Sequence, residues 1–533
     1  MARQDVRSAN PGIVPHPAYQ TFAGEWQRLL DVYEGGGGFL DDKRPYLYAH
    51  PREWLDHSLK DSTTQKWVSN PSPVRPSPKL TARRKIARYE NIAATLVDQL
   101  AASLFRKPPT RGFHGDAEAP DDHPLRLFWA NADGLGRDMG AVLRDNWIAA
   151  AVFGHVLLYA DRDGQNGDTQ ADARPVFVRS YTPLDLIDWL TDDMGALTAV
   201  RLLEAAERTS LDEPAGMLVS QVRDVTADAW TVRQVQRKSG TLRFSDGDPD
   251  TGAHGFGRLP VCVLYAKRRA LLPTLGRSVL GESALYIDLY NLTSEVRELL
   301  RNQTFAILNI PLGQDGSIEK EMSLIGETSG TANVLFSSQA ADYVSPEGTN
   351  VQVYHEHIDR LVRTIYRLAV VGWDSDSRDA ESAESRKLKK EDLYQMLAGY
   401  AAECEQTEMA LAELVYRAAY GADGWQKRWD ADEPVVSYPD DFDVTGLLDE
   451  IEAATQAIAL ELGETATREV KKRVIPTLLP NLSQAMQQQI DDEIEALDVK
   501  TAADQERELM EMRFGQPVLQ VPPADPNDVE AVA

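Results

Sequence analysis

One long amphipathic helix is predicted for residues 281–303, which read GESALYIDLYNLTSEVRELLRNQ. Apolar side chains recur there at intervals of three and four residues, which is the spacing of one face of an α-helix. At a rise of about 1.5 Å per residue, the helix spans about 34 Å. The apolar face contains Leu285, Leu289, Leu292, Val296 and Leu299, and another face contains Asp288, Glu295 and Glu298. The helix therefore has one side for packing and one side for solvent or a charged partner.

A second helix is predicted after a short insert. Residues 304–352 contain β-strand patterns around FAILNIPL and ANVLFSS, separated by Gly- and Ser-rich sequence. Residues 353–371, VYHEHIDRLVRTIYRLAVV, return to helical periodicity. The apolar side of this helix contains Ile358, Leu361, Ile365 and Leu368, and a charged side contains Arg360, Arg363 and Arg367. Two helices that flank an insert predict an antiparallel pair with a small domain at its tip.

Beyond this pair, the sequence predicts a polar loop, a long helix and an acidic helical region. Residues 372–387, GWDSDSRDAESAESRK, are polar. A long helix starting at about Leu388 and a strand in EPVVSYPDDFDV follow over residues 388–444. Residues 445–515 are acidic and helix-rich, and residues 516–533 have the composition of a disordered tail.

Residues 1–273 are predicted to hold helices and a small β module. A short amphipathic segment surrounds Trp26, and one helix is predicted to run through ARRKIARYENIAATLVDQLAASLF until Pro108 stops it. A further helix breaks at Gly154 and is followed by the strand HVLLYA. Alternating β-branched and polar residues between turns predict several short strands over residues 175–265. The predicted fold class is α+β and mostly helical.

The composition excludes several classes of protein. The 533 residues carry 83 acidic and 56 basic side chains, which gives a formal net charge of −27. No window approaches the ~18 apolar residues of a membrane span, and the first residues lack the apolar core of a signal peptide. Two cysteines, Cys262 and Cys404, are too few for a disulfide framework and fit a reducing compartment. The acidic balance argues against wrapping nucleic acid, but it suits a wall past which DNA slides.

A search for chemical motifs finds no candidate active site. His355 and His357 are two residues apart, so they do not share a helix face, and a solvated helix start explains them better than a metal site. The aspartates of residues 246–250 imitate a calcium loop, but Thr251 and Gly257 stand where that loop needs Gly and Glu. We therefore expect no catalytic residue, no metal and no cofactor, and we predict that the chain is not an enzyme.

The order of elements and several local segments resemble the portal proteins of tailed bacteriophages, specifically the siphophage-like portals. The matching segments are ARYENIAATLVDQLAASLFRKPP, LGRSVLGESALYIDLYNLTSEVRELLRNQTFAILNIPLG, DAESAESRKLKKEDLYQMLAGYAAECEQTEMALAELVYRAAYG and VVSYPDDFDV. The resemblance covers about residues 40–500 and lies mainly in the combined order of helix, insert, helix, loop and long helix. It implies a ring subunit with wing, stem, clip and crown regions and a small β module in the wing.

The resemblance also implies how the chain is divided. The regions are a wing with an N-terminal arm, helices and the β module (1–273), a first stem helix (274–303), a clip (304–352), a second stem helix (353–371), a tunnel loop (372–387), a wing return helix and strand (388–444), a crown (445–515) and the disordered tail (516–533). The clip is expected to face the packaging motor, and the crown is expected to lie inside the capsid.

Charged side chains near the stem and loop are the candidates for a DNA-facing tunnel wall. They are Asp288, Glu295, Glu298, Arg360, Arg363, Arg367, Asp374, Asp376, Arg378, Asp379, Glu381 and Lys387. The candidates for contact between subunits are Leu285, Leu289, Leu292, Val296, Ile358, Leu361 and Ile365. The three arginines of the second helix either line the tunnel or pair with glutamates of a neighbouring copy, and pairing is the commoner arrangement at interfaces. Arg378 and Lys387 either face the tunnel or belong to a solvated helix start.

By resemblance, the function is that of a ring, usually of twelve copies, at one vertex of the virion capsid, after assembly in the host cytoplasm. Such a ring conducts double-stranded DNA without sequence specificity during packaging and ejection. The implied partners are other copies of the chain, the terminase large subunit, the major capsid or scaffold protein and a head-completion adaptor, with no membrane. Two alternatives stay open: another virion structural protein, such as a minor capsid protein or adaptor, and a soluble enzyme of unknown class.

Overall fold

The computed structural model describes most of the chain up to residue 442. The described residues are 12–42, 44–49, 58–60, 67–69, 78–113, 120, 122–162, 176–205, 220–238, 241–245, 247–304, 307–311, 334–337, 342–344, 349–369, 383–439 and 442. They belong to the unit of the chain that ends at Phe442. The predicted crown (445–515), the predicted tail (516–533) and residues 372–382 of the predicted tunnel loop lie outside the described residues.

Helices make up about half of the described residues, so the α+β class is confirmed, although helices do not form most of the fold. The helices are α1 Pro17–Glu34, α2 Pro78–Ile86, α3 Ile92–Leu104, α4 Pro124–Ala130, α5 Met139–Phe153, α6 Ser283–Thr304, α7 Thr349–Leu368 and α8 Ala383–Asp432. A single turn of 3-10 helix, Gly37–Phe39, follows α1.

The strands form several small sheets, in which nearly all described pairs are antiparallel. The strands are β1 Ser58–Lys60, β2 Trp67–Ser69, β3 Thr110–Phe113, β4 His155–Arg162, β5 Val176–Tyr181, β6 Leu186–Thr191, β7 Leu197–Ala205, β8 Ser220–Val225, β9 Ala229–Lys238, β10 Thr241–Phe244, β11 Asp250–Ala253, β12 Val261–Tyr265, β13 Ile307–Pro311, β14 Val334–Ser337, β15 Asp342–Val344 and β16 Pro434–Ser437. The run of strands predicted for residues 175–265 is confirmed, but it contributes to two sheets. Strands β6 to β11 form one sheet, whereas β5 and β12 flank β4 in another.

The predicted break between α5 and β4 is confirmed. The backbone conformation and the close packing at this break explain why the residue there is a glycine. Asp138 starts α5 by accepting a hydrogen bond from the backbone N–H of Ala141 at 2.8 Å. Gly154 ends α5 with a φ of 100°, in the left-handed region that favours glycine. A Cβ at Gly154 would also lie 2.6 Å from the backbone of Gly276. The segment before α6 therefore packs directly against the turn that starts β4.

The single helix predicted to end before Pro108 is wrong in one respect, because the structure divides it into α2 and α3. Asn91 accepts a hydrogen bond from the backbone N–H of Ala94 at 3.0 Å and donates one to the carbonyl of Tyr33 at 2.7 Å. The Tyr89 hydroxyl donates to the carbonyl of Val32 at 2.8 Å. These side chains fasten the connection to the end of α1, and Asn91 supplies the N-cap of a new helix. Apolar spacing alone does not reveal such a break.

Helix α6 begins at Ser283, nine residues after the predicted start of the first stem helix at 274. The preceding residues are held by other contacts. The backbone N–H of Val279 donates to the carbonyl of Ala151 at 2.9 Å, and Gly281 has a φ of 75°. Helix α7 begins four residues before the predicted position and ends three residues earlier than 371. The pair of long helices is confirmed, but its boundaries are corrected.

Helix α8 is longer than the helix predicted from Leu388. It begins at Ala383, so residues 383–387 of the predicted tunnel loop are helical, and it reaches Asp432. The backbone at Gly421 is not helical (φ 72°, ψ 171°), which places a kink at this glycine. The strand predicted in EPVVSYPDDFDV is confirmed as β16, and it pairs with β3. The end of this segment is therefore tied to the N-terminal part of the fold.

One buried apolar cluster connects the helices to the β12-β4-β5 sheet. Its largest fully buried members include Trp147 of α5, Tyr159 of β4, Tyr286 and Tyr290 of α6 and Tyr416 of α8. A second, smaller cluster packs the segment before α1 against the six-stranded sheet. Its members are Ile13, Ile187, Val222 and Val235. Helix α6 therefore packs by its aromatic face into the main core rather than standing apart from it.

Candidate functional site: the antiparallel helix pair

Helices α6 and α7 pack side by side in opposite directions. The hydroxyl of Tyr354, near the start of α7, donates to the carboxylate of Glu295, in the second half of α6, at 3.1 Å. Tyr366, near the end of α7, acts electrostatically on Tyr286, near the start of α6. Later residues of one helix thus face earlier residues of the other, which confirms the predicted antiparallel pair. Burial and the neighbouring Glu295 carboxylate both raise the pKa of Tyr354, so its proton stays in this bond.

A small sheet follows α6 and precedes α7, as the insert pattern predicts. Strand β13 starts three residues after α6 ends, and β15 ends five residues before α7 begins. The central strand β13 pairs in parallel with β14 and antiparallel with β15. A parallel neighbour requires the chain to cross over between the two strands.

The N-terminal segment of the chain supports α6 from one side. The Asn291 side chain accepts a hydrogen bond from the backbone N–H of Tyr48 at 2.7 Å and donates to the carbonyl of Tyr46 at 2.9 Å. Arg83 of α2 donates to the Ser294 hydroxyl at 3.3 Å and to the carbonyl of Tyr48 at 2.6 Å. Asn291 and Ser294 are buried, so these bonds satisfy polar groups that water does not reach. This face of α6 is covered within the chain.

The first turn of α6 is held by a carboxylate from α1. Glu25 accepts hydrogen bonds from the backbone N–H of Ser283 at 2.8 Å and from its hydroxyl at 2.9 Å. Arg28 pairs with the same carboxylate at 2.7 Å. Burial raises the pKa of Glu25, but the bonds from Ser283 and Arg28 outweigh it and hold the pKa below its ordinary value. A negative charge at this end also suits the dipole of α6.

The predicted subunit-interface residues divide into two groups by exposure. Leu289, Val296 and Ile365 are 2%, 5% and 2% exposed, so the core of the chain itself already covers them. The remaining candidates are half-buried: Leu285, Leu292, Ile358 and Leu361. Only the half-buried group keeps accessible area for another molecule. Contact of any of these residues with a neighbouring copy stays a prediction.

The predicted tunnel-wall residues lie mainly on the outer side of the pair. Asp288 is exposed, and Glu295 and Glu298 are half-buried on α6. The exposed side of α7 carries Arg360, Arg363 and Arg367. Lys387 belongs to the first turns of α8, where only the backbone is described. The candidates outside the described residues are Asp374, Asp376, Arg378, Asp379 and Glu381.

Within the described residues, the arginines of α7 do not pair with Glu295 of α6. Glu295 is bonded to Tyr354, and Arg360 donates to the ring nitrogen Nδ1 of His357 at 3.0 Å. Among the described residues, the side chain of neither Arg363 nor Arg367 has a hydrogen bond or an ion pair. The exposed side of α7 therefore carries two arginines, Arg363 and Arg367, whose charges are not paired within the described residues, beside the exposed Glu356 and Asp359.

Two exposed apolar residues of α7 were not among the interface candidates. Val353 is 65% exposed and Leu368, which periodicity places on the packing side, is 56% exposed. Val353 precedes Tyr354, which bonds to α6, and Leu368 precedes the buried Ala369, so both side chains lie at levels where the helices still pack and point away from the packed side. A count of apolar residues outside the central stripe could have found Val353, but periodicity places Leu368 on the packing side, so its exposure is visible only in the structure.

No described cluster has the chemistry of an active site. Within the described residues, no group of three or more His, Cys, Asp or Glu side chains is placed to hold a metal ion. Both cysteines are buried free thiols. Burial raises the pKa of Cys262 to about 12 and also raises that of Cys404, so neither is a thiolate nucleophile at neutral pH. None of the described helices has the length and apolar content needed to cross a bilayer.

The comparisons with known proteins include two distant similarities to solved structures. No family model and no curated protein matches the sequence. One similar solved structure is described as "Neck of empty GTA particle computed with C6 symmetry"; it is 12% identical, covers 74% of this chain and 93% of that chain, and has a TM-score of 0.41. Another, "Virion of native gene transfer agent (GTA) particle", is 15% identical, covers 68% of this chain and 84% of that chain, and has a TM-score of 0.39. At these values the similarity establishes neither a common fold nor a common function.

Proposed function

We propose that this chain is the subunit of a portal ring, a virion structural protein that conducts double-stranded DNA through a capsid vertex and has no active site of its own. The observation that carries the proposal is the order of elements from α6 to α8. An amphipathic helix leads into a small sheet, an antiparallel helix returns beside the first, and a very long helix follows after a polar segment. This order is the one on which the sequence resemblance to tailed-phage portals rests.

The exposed side of α7 suits contact with a second copy of the chain. At about 100° per residue, Val353, Arg360 and Arg367 lie within about 40° of one another around the helix axis. Val353 and Leu368 thus place apolar area on or beside a face that also carries cations. When one patch meets a different patch on the next copy and the rotation closes, the product is a ring.

Antiparallel packing predicts which carboxylate these cations would meet in a ring. Tyr286 interacts with Tyr366 and Glu295 bonds to Tyr354, so counting along the two helices from these pairs places Asp288 at the level of residues 361–364, which include Arg363. If the ring axis runs parallel to the helices, the rotation that relates one copy to the next leaves the height of each residue along that axis unchanged. The exposed Asp288 of one copy would therefore stand at the height of Arg363 in the next, which favours the pairing alternative for Arg363 over a tunnel wall.

The charge of the chain suits a conduit rather than a DNA grip. Duplex DNA carries one negative charge per ~1.7 Å of axis, and each cation that binds a phosphate retards its movement. A subunit of net charge −27 repels DNA over a Debye length of ~8 Å at physiological salt, which keeps the duplex hydrated. If the cations of α7 are neutralised by neighbouring carboxylates, the wall stays weakly interacting.

The further parts of the proposal follow from the portal assignment. The β13–β15 sheet at the tip of the pair is the proposed docking face for the terminase large subunit and later for a head-completion adaptor. The major capsid or scaffold protein would contact the periphery of the ring. The ring would assemble in the host cytoplasm and stay in the virion.

Mass photometry and negative-stain electron microscopy of the purified chain test this function. We expect particles whose mass is an integer multiple of 59.2 kDa and whose class averages show an annulus with that number of blades. A species no larger than a dimer at micromolar concentration and moderate salt would contradict the proposal. Class averages that show a shell or a flat lattice would favour the alternative, another structural protein of the virion.

A further inference from the structure

A cleft of about 700 Å³ opens between α1 and the segment that leads into α6. Its floor is apolar and aromatic. The floor residues are Phe22, Trp26 and Leu29 of α1 and Phe153 at the end of α5. Leu271 and Leu272 line the cleft from the turn of residues 267–277 and are 93% and 40% exposed. Nothing in the portal assignment uses this cleft.

The turn that carries the exposed leucines is braced, so the cleft is preformed. The backbone N–H of Arg277 donates to the carbonyl of Lys267 at 2.7 Å, which closes the base of the turn. The Tyr265 hydroxyl donates to the carbonyl of Pro273 at 3.0 Å. Gly276 packs directly against the backbone of Gly154. Leu271 is therefore exposed on a fixed turn, and binding would not require the cost of ordering it.

One wall of the cleft carries more positive charge than its carboxylates neutralise. Four cationic residues line it: Lys267, Arg268, Arg269 and Arg277. Glu403 neutralises Arg268 through two hydrogen bonds of 2.7 and 2.9 Å. Of the two lining carboxylates, Glu25 is occupied by Ser283 and Arg28, and Glu282 is exposed. Within the described residues, Lys267, Arg269 and Arg277 have no ion pair.

Arg269 and Arg277 both line the cleft and lie close enough to interact electrostatically. Burial lowers the pKa of Arg269, and the like charge of Arg277 lowers it further, as expected when two cations repel each other. Arg269 is nevertheless held in place, since its Nε donates to the carbonyl of Gly276 at 2.9 Å and its guanidinium lies 4.8 Å from the ring centroid of Phe22. An anion between the two arginines would relieve this repulsion.

We propose that the cleft binds an acidic peptide segment of a partner protein. An apolar side chain of the peptide packs against the exposed Leu271 and Leu272 beside Phe22, and the carboxylates of the peptide meet the cations of Lys267, Arg269 and Arg277. The alternation of apolar floor and cationic wall matches a peptide in which apolar and acidic residues are neighbours. DNA is the poorer fit, because a phosphodiester backbone offers no apolar group to the floor.

A labelled peptide tests the proposal on the full chain. The probe is a fluorescein-labelled acidic hexapeptide of sequence DEFLDE, and the readout is fluorescence anisotropy at moderate salt. We expect saturable binding to the wild-type chain and a loss of affinity of about tenfold or more in Arg277→Glu and in Lys267→Glu. Leu271→Ser should weaken binding severalfold, since Leu271 is 93% exposed and its replacement costs the fold little.

The controls separate the cleft from charge in general. Lys427→Glu makes the same charge change at an exposed site on α8 and should bind the probe as the wild type does. The proposal would be overturned if the probe did not bind at a 100-fold excess of chain, or if Arg277→Glu bound it with the affinity of the wild type. It would also be overturned if the wild type bound the uncharged peptide NQFLNQ as tightly as DEFLDE. Full competition by a 20-bp duplex at equimolar concentration would instead indicate a nucleic-acid site. The readout does not depend on ring formation, so this result and that of the portal assignment are independent.

Discussion

Arg111 of β3 and Glu408 of α8 form a two-pronged ion pair, with Nε 2.5 Å from Oε1 and a guanidinium nitrogen 3.1 Å from Oε2. Glu408 is fully buried, and the Tyr438 hydroxyl also donates to it at 2.8 Å. Burial and the Glu408 charge raise the pKa of Tyr438, so this donor keeps its proton. The pair joins residues almost 300 positions apart and fastens the long helix to the N-terminal part of the fold.

We expect Arg111→Ala to destabilise the chain by about 3–5 kcal/mol, because it leaves the Glu408 carboxylate buried without its cation. Urea unfolding followed by circular dichroism measures the change. The matched control is Arg137→Ala, which removes a half-exposed guanidinium that pairs with Asp133 and with Asp145, and which should cost only about 1 kcal/mol. Equal losses of unfolding free energy in the two variants would mean that the buried Arg111–Glu408 pair contributes no more to stability than a surface ion pair.

The buried His155 is expected to make the folded chain less stable in mild acid. It is fully buried, and burial, together with the charge of Arg269, lowers its pKa from 6.5 to about 3. The unfolded chain therefore takes up the proton first, so stability is complete above pH ~6.5 and falls as the pH decreases toward 3. Between pH 6.5 and 5 the loss from this group is about 2 kcal/mol.

Unfolding of wild type and His155→Gln at pH 7 and pH 5 measures this contribution. The glutamine can still accept the hydrogen bond that the backbone N–H of Gly276 donates to His155 at 3.2 Å. We expect the variant to lose less stability between the two pH values than the wild type. His357→Gln, at an exposed position, should keep the wild-type dependence. If the stability of His155→Gln and of the wild type depended on pH in the same way, His155 would not be the cause of the loss of stability in acid.

Ring assembly should fail in Val353→Asp and in Leu368→Asp while each chain stays folded. Both side chains are largely exposed in the single chain, so a charge there disturbs only a contact with another molecule. Mass photometry reports the assembly and thermal unfolding reports the fold. Leu135→Asp, at a position 86% exposed in another part of the fold, is the control and should still form rings. Leu289→Asp does not discriminate, because Leu289 is buried and its loss damages the fold itself.

The predicted pairing of Asp288 with Arg363 can be tested by exchanging the charges. Arg363→Asp should weaken ring assembly, since it places two carboxylates at the same level of adjacent copies. Combining it with Asp288→Arg should restore assembly, because the opposite charges then face each other again. The measurement is the chain concentration at which half of the protein is in rings. Rings that are unaffected by Arg363→Asp alone would instead favour the alternative in which the arginines line the tunnel.

Local patterns in the sequence were sufficient for the main elements. The spacing of Leu289 and Val296 predicted α6, the break at Gly154 predicted the change from α5 to β4, and the alternation over residues 175–265 predicted the strands. Each of these signals depends on residues a few positions apart, whose side chains share a face because of backbone geometry alone. The antiparallel pair followed from the short insert between two such helices.

Other features depend on tertiary contacts and could not be predicted from local sequence patterns. The chain breaks between α2 and α3 because Tyr89 and Asn91 donate hydrogen bonds to carbonyls at the end of α1. Glu408 is stable in the core because Arg111, far away in sequence, reaches it, and Lys267, Arg269 and Arg277 form one cationic wall because a braced turn brings them together. Periodicity describes neighbours along the chain, whereas burial, charge pairing and clefts depend on which distant segments meet.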